Sequence, residues 1–368
     1  MAMYKSYYSM NRWWFHIRNI VFFPLFVLAK ILPKKDFFVF GSMSGYAVAD
    51  NSKYYFINTY KPNYYWITKN KGLLKTAVFE NHFPIYAYSL KGIFIQLFAK
   101  KAFYTHKLDD FVPPLIMGAE ITALWHGVPF KKIGAAEHGE TDASALRKCI
   151  RKIRARVMPY SYYMYCNNVV CPDPKYEDVF RRCFANSAPK ILIEQYPRVQ
   201  YARKIAKQRK ILYCPTYRKN RKLADVISSV GILGAQFSKW LQSNDVVFTI
   251  RPHPIDAEKL DVISLPERIE IDTSLDLYET INQYPVVLTD YSSIMYDAEA
   301  LGINVFLLAD DVQEYAAAEN GLFEGFLSYI WNNHFECIDM LLPRLESVFQ
   351  NFGTTASFPF RESEEQKG

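Results

Sequence analysis

Short apolar runs alternate with stretches of helical periodicity along most of the chain. Apolar runs of about four to eight residues, rich in β-branched and aromatic side chains, predict strands, and their alternation with helices is typical of parallel βαβ units. Because ten predicted strands are many for one sheet, the pattern indicates an α/β protein with two doubly wound halves. The predicted strands are Phe37–Phe40, Ala77–Phe79, Ala102–Thr105, Ile121–Trp125, Val169–Cys171, Ile191–Ile193, Ile211–Cys214, Val246–Ile250, Val286–Thr289 and Val305–Leu308.

A change in composition marks the predicted boundary between the two halves. The run Tyr201–Lys210 is basic and poor in apolar residues, and it follows a turn at Pro197. We therefore predict an N-terminal segment over residues 1–35, a Rossmann-like domain over 36–200 and a second over 201–368. In such folds ligands bind beyond the carboxyl ends of the strands, so candidate chemistry is sought there.

Composition excludes several classes of protein. With 368 residues, 50% apolar, 16% aromatic and 22% charged, the chain is predicted to be globular rather than disordered. The 44 basic and 37 acidic residues leave a net charge of +7, which is small for a nucleic-acid binder of this length. The six cysteines form no CxxC pair, so a zinc site is not indicated. No cleavable signal is visible, which indicates free thiols in a reducing cytoplasm.

Two stretches have the composition of membrane-surface segments. Ile20–Leu32 is apolar but interrupted by Pro24 and Lys30, and a spanning helix needs about 20 apolar residues. With Trp13 and Trp14 nearby, this run is either an in-plane anchor or a core helix with aromatic flanks. Residues 147–156 read RKCIRKIRAR, which is either a patch for anionic lipid or a solvated helix face.

A histidine follows the predicted strand Ile121–Trp125, in the run LWHGVPFKKIG that begins at Leu124. A glycine after His126 allows a sharp turn that can expose the imidazole, which suits a general base. A structural histidine with satisfied hydrogen bonds is the alternative.

Three further clusters follow strands in the second half. Pro-Thr-Tyr-Arg places Thr216 and Arg218 after one strand, and Arg-Pro-His-Pro places Arg251 and His253 after the next. Hydroxyl and guanidinium donors bind phosphate oxygens, although a proline-rich turn with a solvated arginine is an equally ordinary explanation. The third cluster is Thr-Asp-Tyr-Ser-Ser, from residue 289, before an amphipathic helix that Gly302 is predicted to end.

Ser292 and Ser293 stand where a helix N-terminus could bind a phosphate, and an ordinary N-cap is the alternative. No G-x-G-x-x-G and no P-loop is present, so neither nicotinamide nor Walker-type ATP chemistry is indicated.

Taken together, these motifs resemble the CDP-glycerol glycerophosphotransferase family, whose members prime and polymerise teichoic acids and related capsule phosphopolymers. The resemblance runs from Phe40-Gly41-Ser42 through Asp50-Asn51-Ser52 and the four clusters, over about residues 36–315. It implies a GT-B type fold, with two Rossmann-like domains facing across a cleft. It also implies transfer of glycerol phosphate, or a related polyol phosphate, from a CDP-alcohol to an acceptor hydroxyl with release of CMP, without cofactor or metal.

Residue by residue, the resemblance implies that His126 is the base. It implies that His253 and Arg218 act at the pyrophosphate, and that Ser292 and Ser293 bind phosphate. The predicted site consists of catalytic His126 and His253, and of the donor-binding residues Thr216, Arg218, Arg251, Ser292, Ser293 and Asp297. The chain departs from the family pattern at 194–200, where EQYPRVQ lacks the usual Gly and acid, and at 314–321.

The resemblance further implies a CDP-alcohol donor, a lipid-linked or oligosaccharide acceptor, and a cytoplasmic enzyme peripheral on the inner face of the cell membrane. No nucleic-acid partner is expected. Two alternatives stay open at this point: a GT-B glycosyltransferase that uses a nucleotide-sugar, and an inactive membrane-associated protein of a polymer-assembly complex.

Overall fold

The computed structural model describes residues 21–137, 157–218, 220–253, 256, 265–274, 276–318 and 321–352. The chain divides into an N-terminal unit, Met1–Ala202 with Asn320–Phe323, and a C-terminal unit, Arg203–Glu319 with Glu324–Gly368. The basic run 147–156 and the tryptophans at 13 and 14 lie outside the described residues.

The N-terminal unit contains a seven-stranded parallel sheet in the order β3-β2-β1-β4-β5-β6-β7. Its strands are β1 Lys35–Gly41, β2 Tyr64–Thr68, β3 Ile85–Tyr86, β4 Ala99–Tyr104, β5 Glu120–Ala123, β6 Asn168–Cys171 and β7 Lys190–Ile193. Its helices are α1 Phe23–Ile31, α2 Asp50–Asn58, α3 Leu90–Phe98, α4 Pro113–Ile116, α5 Glu177–Cys183 and α6 Pro197–Gln200.

Aromatic packing on the central strands holds this sheet to its helices. Phe40 on β1 is fully buried and stacks on Phe103 of β4 at 4.8 Å, while its edge meets Phe56 of α2 at 5.2 Å. Because aromatic side chains bury large apolar areas, these contacts favour the central position of β1 and β4. The described part of the predicted segment 1–35 lies in this unit, where α1 packs on α3 and α4.

The C-terminal unit contains a six-stranded parallel sheet in the order β10-β9-β8-β11-β12-β13. Its strands are β8 Lys210–Cys214, β9 Val247–Ile250, β10 Ile269–Ile271, β11 Val286–Thr289, β12 Asn304–Leu308 and β13 His334–Phe335. Its helices are α7 Leu223–Ser229, α8 Ala235–Ser243, α9 Ile294–Ala300, α10 Val312–Ala318, α11 Glu324–Asn333 and α12 Ile338–Gln350. One apolar cluster joins β8, β9 and β11 to α8 and α12.

In each sheet the order of the strands reverses beside the strand that comes first in the sequence. In the N-terminal unit the strand order changes between β1 and β4, and in the C-terminal unit it changes between β8 and β11. The loops that leave neighbouring parallel strands at such a point diverge to opposite sides and leave a crevice at the carboxyl ends. These two positions are therefore where each unit can hold functional side chains.

Nine of the ten predicted strands are present, and the prediction for Ala77–Phe79 is wrong. Phe79 makes only a single antiparallel bridge to His82. The sequence analysis missed β2, β3, β10 and β13, of which three are only two or three residues long. Gly302 does end α9, with a φ of 69° that glycine adopts without strain.

Among the described residues, no helix has both the length and the apolar character to cross a membrane. The described cysteines are Cys166, Cys171, Cys183, Cys214 and Cys337, and all five are free thiols.

Candidate active site

His126 follows β5 at the carboxyl end of the N-terminal sheet. The chain turns sharply here, with a φ of 57° at Trp125 and of 146° at Gly127. The His126 Nδ1 atom lies 3.3 Å from the carbonyl oxygen of Thr105. Because a carbonyl oxygen only accepts, Nδ1 carries the proton in this contact and the lone pair is on Nε2.

The electrostatic surroundings keep this imidazole neutral. His126 is exposed as a whole residue, yet its ring packs against the Trp125 ring at 4.3 Å and against another imidazole. The resulting desolvation is the largest influence on this group and lowers the pKa of His126. A neutral imidazole with a free Nε2 lone pair can accept a proton near pH 7.

Three residues beside His126 were not among the predicted site residues. His106 follows β4, and its ring stacks on that of His126 with the centroids 4.9 Å apart and an angle of 9°. Asp50 begins α2, and its Oδ2 lies 3.6 Å from Nε2 of His106. Arg198, on α6, pairs with Asp50 at 2.7 Å and donates to the carbonyl of His126 at 3.0 Å.

Asp50 is ionised in this arrangement. Burial alone would raise its pKa, but the charge of Arg198, which is the largest of the opposing influences, helps to outweigh burial and the pKa is lowered. Asp50 therefore supplies a carboxylate that links the His106 ring to the arginine supporting the His126 backbone. A sequence signal existed: His106 follows a central strand at the reversal point, where ligand-binding loops are expected.

In the C-terminal unit, Thr216 lies beside the strand-order reversal between β8 and β11. Its backbone N–H and its hydroxyl both donate to the carboxylate of Asp290, with the hydroxyl at 2.5 Å from Oδ1. Asp290 also accepts the backbone N–H of Tyr291 at 2.6 Å. These bonds join the loops that follow β8 and β11.

Arg218 is an internal residue of this network. Its Nε and Nη2 atoms donate to Asp311 at 2.5 and 2.9 Å, and its Nη1 donates to Asp290 at 2.7 Å. The guanidinium lies near the rings of Tyr291 and Tyr315, at 5.2 and 5.6 Å from their centroids. Burial would lower the pKa of Arg218, but the two carboxylates raise it, so the charge is permanent. The geometry supports a role in joining strands, and action on the pyrophosphate stays a prediction.

Arg251 and His253 follow β9 and differ in exposure. Arg251 Nη1 donates to Asp272 at 2.6 Å and to the Ser274 hydroxyl at 2.8 Å. His253 is exposed, and its ring centroid lies 5.7 Å from that of Tyr217. Of these two predicted residues, His253 is the better placed to meet a ligand from solvent.

Ser292 and Ser293 precede α9 and are half-buried. Ser293 is the N-cap residue, but its side chain makes no capping hydrogen bond. Asp297, within α9, is buried and accepts a hydrogen bond from the hydroxyl of Tyr278. Ser293 thus makes no capping bond, whereas the Ser292 hydroxyl oxygen accepts the backbone N–H of Ile294 at 3.4 Å, so the capping alternative is supported for Ser292.

The predicted residues divide between the units: His126 belongs to the N-terminal unit, and the other seven belong to the C-terminal unit. Strands β9, β8 and β11 are adjacent, so their following loops bring the three C-terminal clusters to one edge of one sheet. Over the part of the chain that is described, no group of three or more His, Cys, Asp or Glu side chains could hold a metal ion.

Two curated proteins are similar to this chain in sequence. The chain is 23% identical over 327 residues to a teichoic acid poly(glycerol phosphate) polymerase of Staphylococcus epidermidis, covering 78% of this chain but only 42% of that protein. It is 24% identical to a teichoic acid glycerol-phosphate transferase of Staphylococcus aureus, covering 82% of this chain and 81% of that protein. The chain thus spans less than half the length of the first relative.

A solved structure of the wall teichoic acid polymerase TagF has a TM-score of 0.62 at 19% identity, covering 94% of this chain and 92% of that one. This similarity confirms the predicted α/β fold of GT-B type. Residues 24–355 match the family CDP-Glycerol:Poly(glycerophosphate) glycerophosphotransferase. Since this match covers most of the 368 residues, the chain belongs to that glycerophosphotransferase family, as its motifs predicted.

Proposed function

We propose that the protein transfers glycerol phosphate, or a related polyol phosphate, from a CDP-alcohol to an acceptor hydroxyl and releases CMP. The observation that carries this proposal is His126, a neutral imidazole with a fixed tautomer, at the strand end where the family motif predicts the base. Membership of a glycerophosphotransferase family supplies the reaction class.

The acceptor hydroxyl oxygen attacks the phosphorus that carries the polyol. A new P–O bond forms to the acceptor, the P–O bond to the bridging pyrophosphate oxygen breaks, and CMP leaves with that oxygen. His126 Nε2 takes the hydroxyl proton and later gives it to solvent. Such base catalysis is worth about 10²- to 10⁴-fold in rate.

The C-terminal unit supplies the donor-binding residues in this proposal. The exposed His253 offsets charge on the phosphoryl oxygens as CMP leaves, and the hydroxyls of Ser292 and Ser293 donate to phosphate oxygens. Arg218 acts indirectly, since its donors bind Asp290 and Asp311 and thereby hold together the loops that carry these residues.

The proposed acceptor is lipid-linked or an oligosaccharide, and the protein is proposed to work at the cytoplasmic face of a membrane. A surface formed by α1 and α3 supports this location. Exposed apolar side chains lie on both helices, with 71% of Ile31 and 90% of Leu90 accessible. Lys34 joins the helices by donating to the carbonyls of Ala29 and Leu97, at 2.6 and 2.8 Å.

Lysines flank these apolar side chains. Lys30 and Lys91 are exposed on the two helices, and Lys35 lies 4.9 Å from the centroid of the half-exposed Phe94 ring. Apolar insertion together with cationic attraction gives stable peripheral binding to anionic lipid, with each basic residue worth about 1 kcal/mol near the surface.

The decisive experiment for the reaction is incubation with CDP-glycerol, CDP-ribitol and UDP-sugars, each with lipid and oligosaccharide acceptors. We expect CMP release and, by mass spectrometry, an acceptor heavier by one or more polyol phosphate units. Release of UDP with glycosylated product would instead make the protein a glycosyltransferase. Binding without turnover of any donor would make it an inactive assembly protein.

We also propose that the reaction needs no resident metal. EDTA should leave turnover of CDP-glycerol unchanged. A loss of activity on chelation that Mg²⁺ or Mn²⁺ restores would overturn this part of the proposal.

The membrane proposal is tested by sedimentation with phosphatidylglycerol vesicles. The wild type should pellet at low salt and less so at high salt, because screening acts beyond about 8 Å at physiological ionic strength. Ile31→Asp with Leu90→Asp should stay in the supernatant. Met340→Asp, at an exposed apolar position of the C-terminal unit, is the matched control and should pellet. Equal sedimentation of both variants would exclude this surface.

A further inference from the structure

His106 is the residue of the N-terminal unit whose contacts the proposed reaction leaves unexplained. It follows β4, and its side chain is 23% exposed. Its ring lies almost parallel to that of His126, with the centroids 4.9 Å apart. A flat ring against one face of His126 restricts rotation of that imidazole about its side-chain bonds.

Both ring nitrogens of His106 have defined partners. Its Nδ1 accepts the backbone N–H of Met43 at 3.3 Å. Since a backbone N–H only donates, Nδ1 is unprotonated and the proton is on Nε2, which faces Asp50 Oδ2 at 3.6 Å. Two contacts on opposite sides of the ring fix both its plane and its tautomer.

The backbone that presents the Met43 N–H is strained. Met43 and Ser44 have positive φ angles of 49° and 58°, a conformation that is unfavourable for residues other than glycine. The buried carboxylate of Asp110 holds this loop by accepting the N–H of Ser44 at 2.5 Å, and it also accepts that of His106 at 3.1 Å. The Asp110 carboxylate thus holds the backbone on both sides of the Met43–His106 contact.

Asp50 connects the His106 ring to the backbone of His126. Besides facing His106, it pairs with Arg198, which donates to the His126 carbonyl at 3.0 Å. The His126 ring is consequently held on one face by His106 and at its Nδ1 by the Thr105 carbonyl. Among the described residues, none forms a hydrogen bond with Nε2 of His126.

We propose that His106, fixed by Asp50 and the Met43 N–H, is a positioning residue whose stacked ring holds the imidazole of His126 with Nε2 directed toward the acceptor hydroxyl. This inference rests on the proposed function, in which His126 is the base. His106 itself does not touch substrate in this assignment, since its Nδ1 is bound to the backbone.

The kinetic test compares three substitutions at this position. His106→Ala should lower kcat about 10- to 100-fold, as expected when a reacting group is misplaced by about 1 Å, with the KM for CDP-glycerol within about twofold of wild type. His106→Phe keeps a flat ring and should recover most of that loss, whereas His106→Gln should not. His334→Gln, in the C-terminal unit, is the control and should match wild type.

A second measurement needs no substrate, so it separates failure of this inference from failure of the proposed reaction. ¹⁵N spectra of histidine-labelled protein should show His126 as a single tautomer protonated at Nδ1. In His106→Ala the two His126 nitrogens should move toward averaged shifts, and in His106→Phe they should stay near wild type. Unchanged His126 shifts in His106→Ala would overturn the positioning role.

Two kinetic outcomes would also overturn it. A loss in His106→Ala as large as that in His126→Ala would make His106 a proton carrier. Rescue by Gln but not by Phe would show that the polar contact with Asp50, rather than stacking, is what matters.

Discussion

The two sheets use the same residue types at their carboxyl ends to different effect. In the N-terminal unit, Asp50 and Arg198 pair with each other and leave the His126 imidazole exposed. In the C-terminal unit, Arg218 is only 7% exposed and is bound by the carboxylates of Asp290 and Asp311. An arginine after a strand is therefore not a phosphate ligand by position alone, because its donors can already be used inside the protein.

The difference suggests how to separate the ligand-facing residues from the supporting ones. Groups with donors or lone pairs that remain available, such as His126 Nε2, are expected to affect turnover and leave stability unchanged. Groups whose hydrogen-bonding capacity is used internally, such as Arg218, are expected to affect stability first.

The largest effect is expected at His126. His126→Ala should lower kcat by about 10²- to 10⁴-fold, the usual contribution of a general base, while thermal unfolding stays as in wild type. The measurement is CMP release under saturating donor and acceptor, together with a melting curve. Near-normal turnover of His126→Ala would show that His126 is not the general base.

Arg218 should give the opposite result. Arg218→Met leaves two carboxylates without their cation and should destabilise the C-terminal unit by about 3–5 kcal/mol, measured by urea unfolding. Arg221→Met is the control: Arg221 pairs with Asp310 but is 26% exposed, so its loss should cost about 1 kcal/mol or less. If Arg218→Met folds normally and only its KM for donor rises, Arg218 binds phosphate directly, as the sequence motif predicted.

The fold was predictable in outline because buried parallel strands give continuous apolar runs. Nine strands, the turn at Gly302 and the two-sheet organisation followed from this pattern. The short strands β3 and β13, two residues each, carry too little apolar sequence to be recognised. The prediction at Ala77–Phe79 failed because a brief apolar run resembles a strand although its neighbours supply only one bridge.

The candidate site was predictable only where a motif pointed to it. His126 stands in a recognisable run, but His106 stands in YTHKLDD, and its relation to His126 depends on the neighbouring positions of β4 and β5 in the sheet. For Arg218 the motif was recognisable, but it did not reveal the internal partners of the side chain. Its motif favours a ligand, and the carboxylate of Asp311 that binds it is distant in sequence and becomes adjacent only in the folded sheet.

His253 should behave as a ligand-facing residue of the C-terminal unit. Because it is exposed, His253→Ala should leave the urea midpoint unchanged. It should lower kcat/KM for CDP-glycerol by about 10²- to 10³-fold, the usual cost of removing one donor to a developing oxyanion. His82→Ala, in the N-terminal unit, is the control for loss of a histidine. An unchanged kcat/KM in His253→Ala would leave the two half-buried serines as the remaining predicted phosphate ligands of the C-terminal unit.

The smallest effect is expected at Arg251, which tests the same division by pH. Burial would raise the pKa of Asp272, but its hydrogen bonds to Ser274 and the charge of Arg251 lower it below the ordinary value. A carboxyl with a lowered folded-state pKa stabilises fully above its unfolded pKa of about 3.9, and that contribution is lost as pH falls through the folded value. Arg251→Ala should therefore lower the free energy of unfolding by about 1 kcal/mol at pH 7. As the pH falls below about 4, the urea midpoints of variant and wild type should converge. A difference that persists where Asp272 is protonated in both proteins would mean that Arg251 stabilises the unit through Ser274 instead.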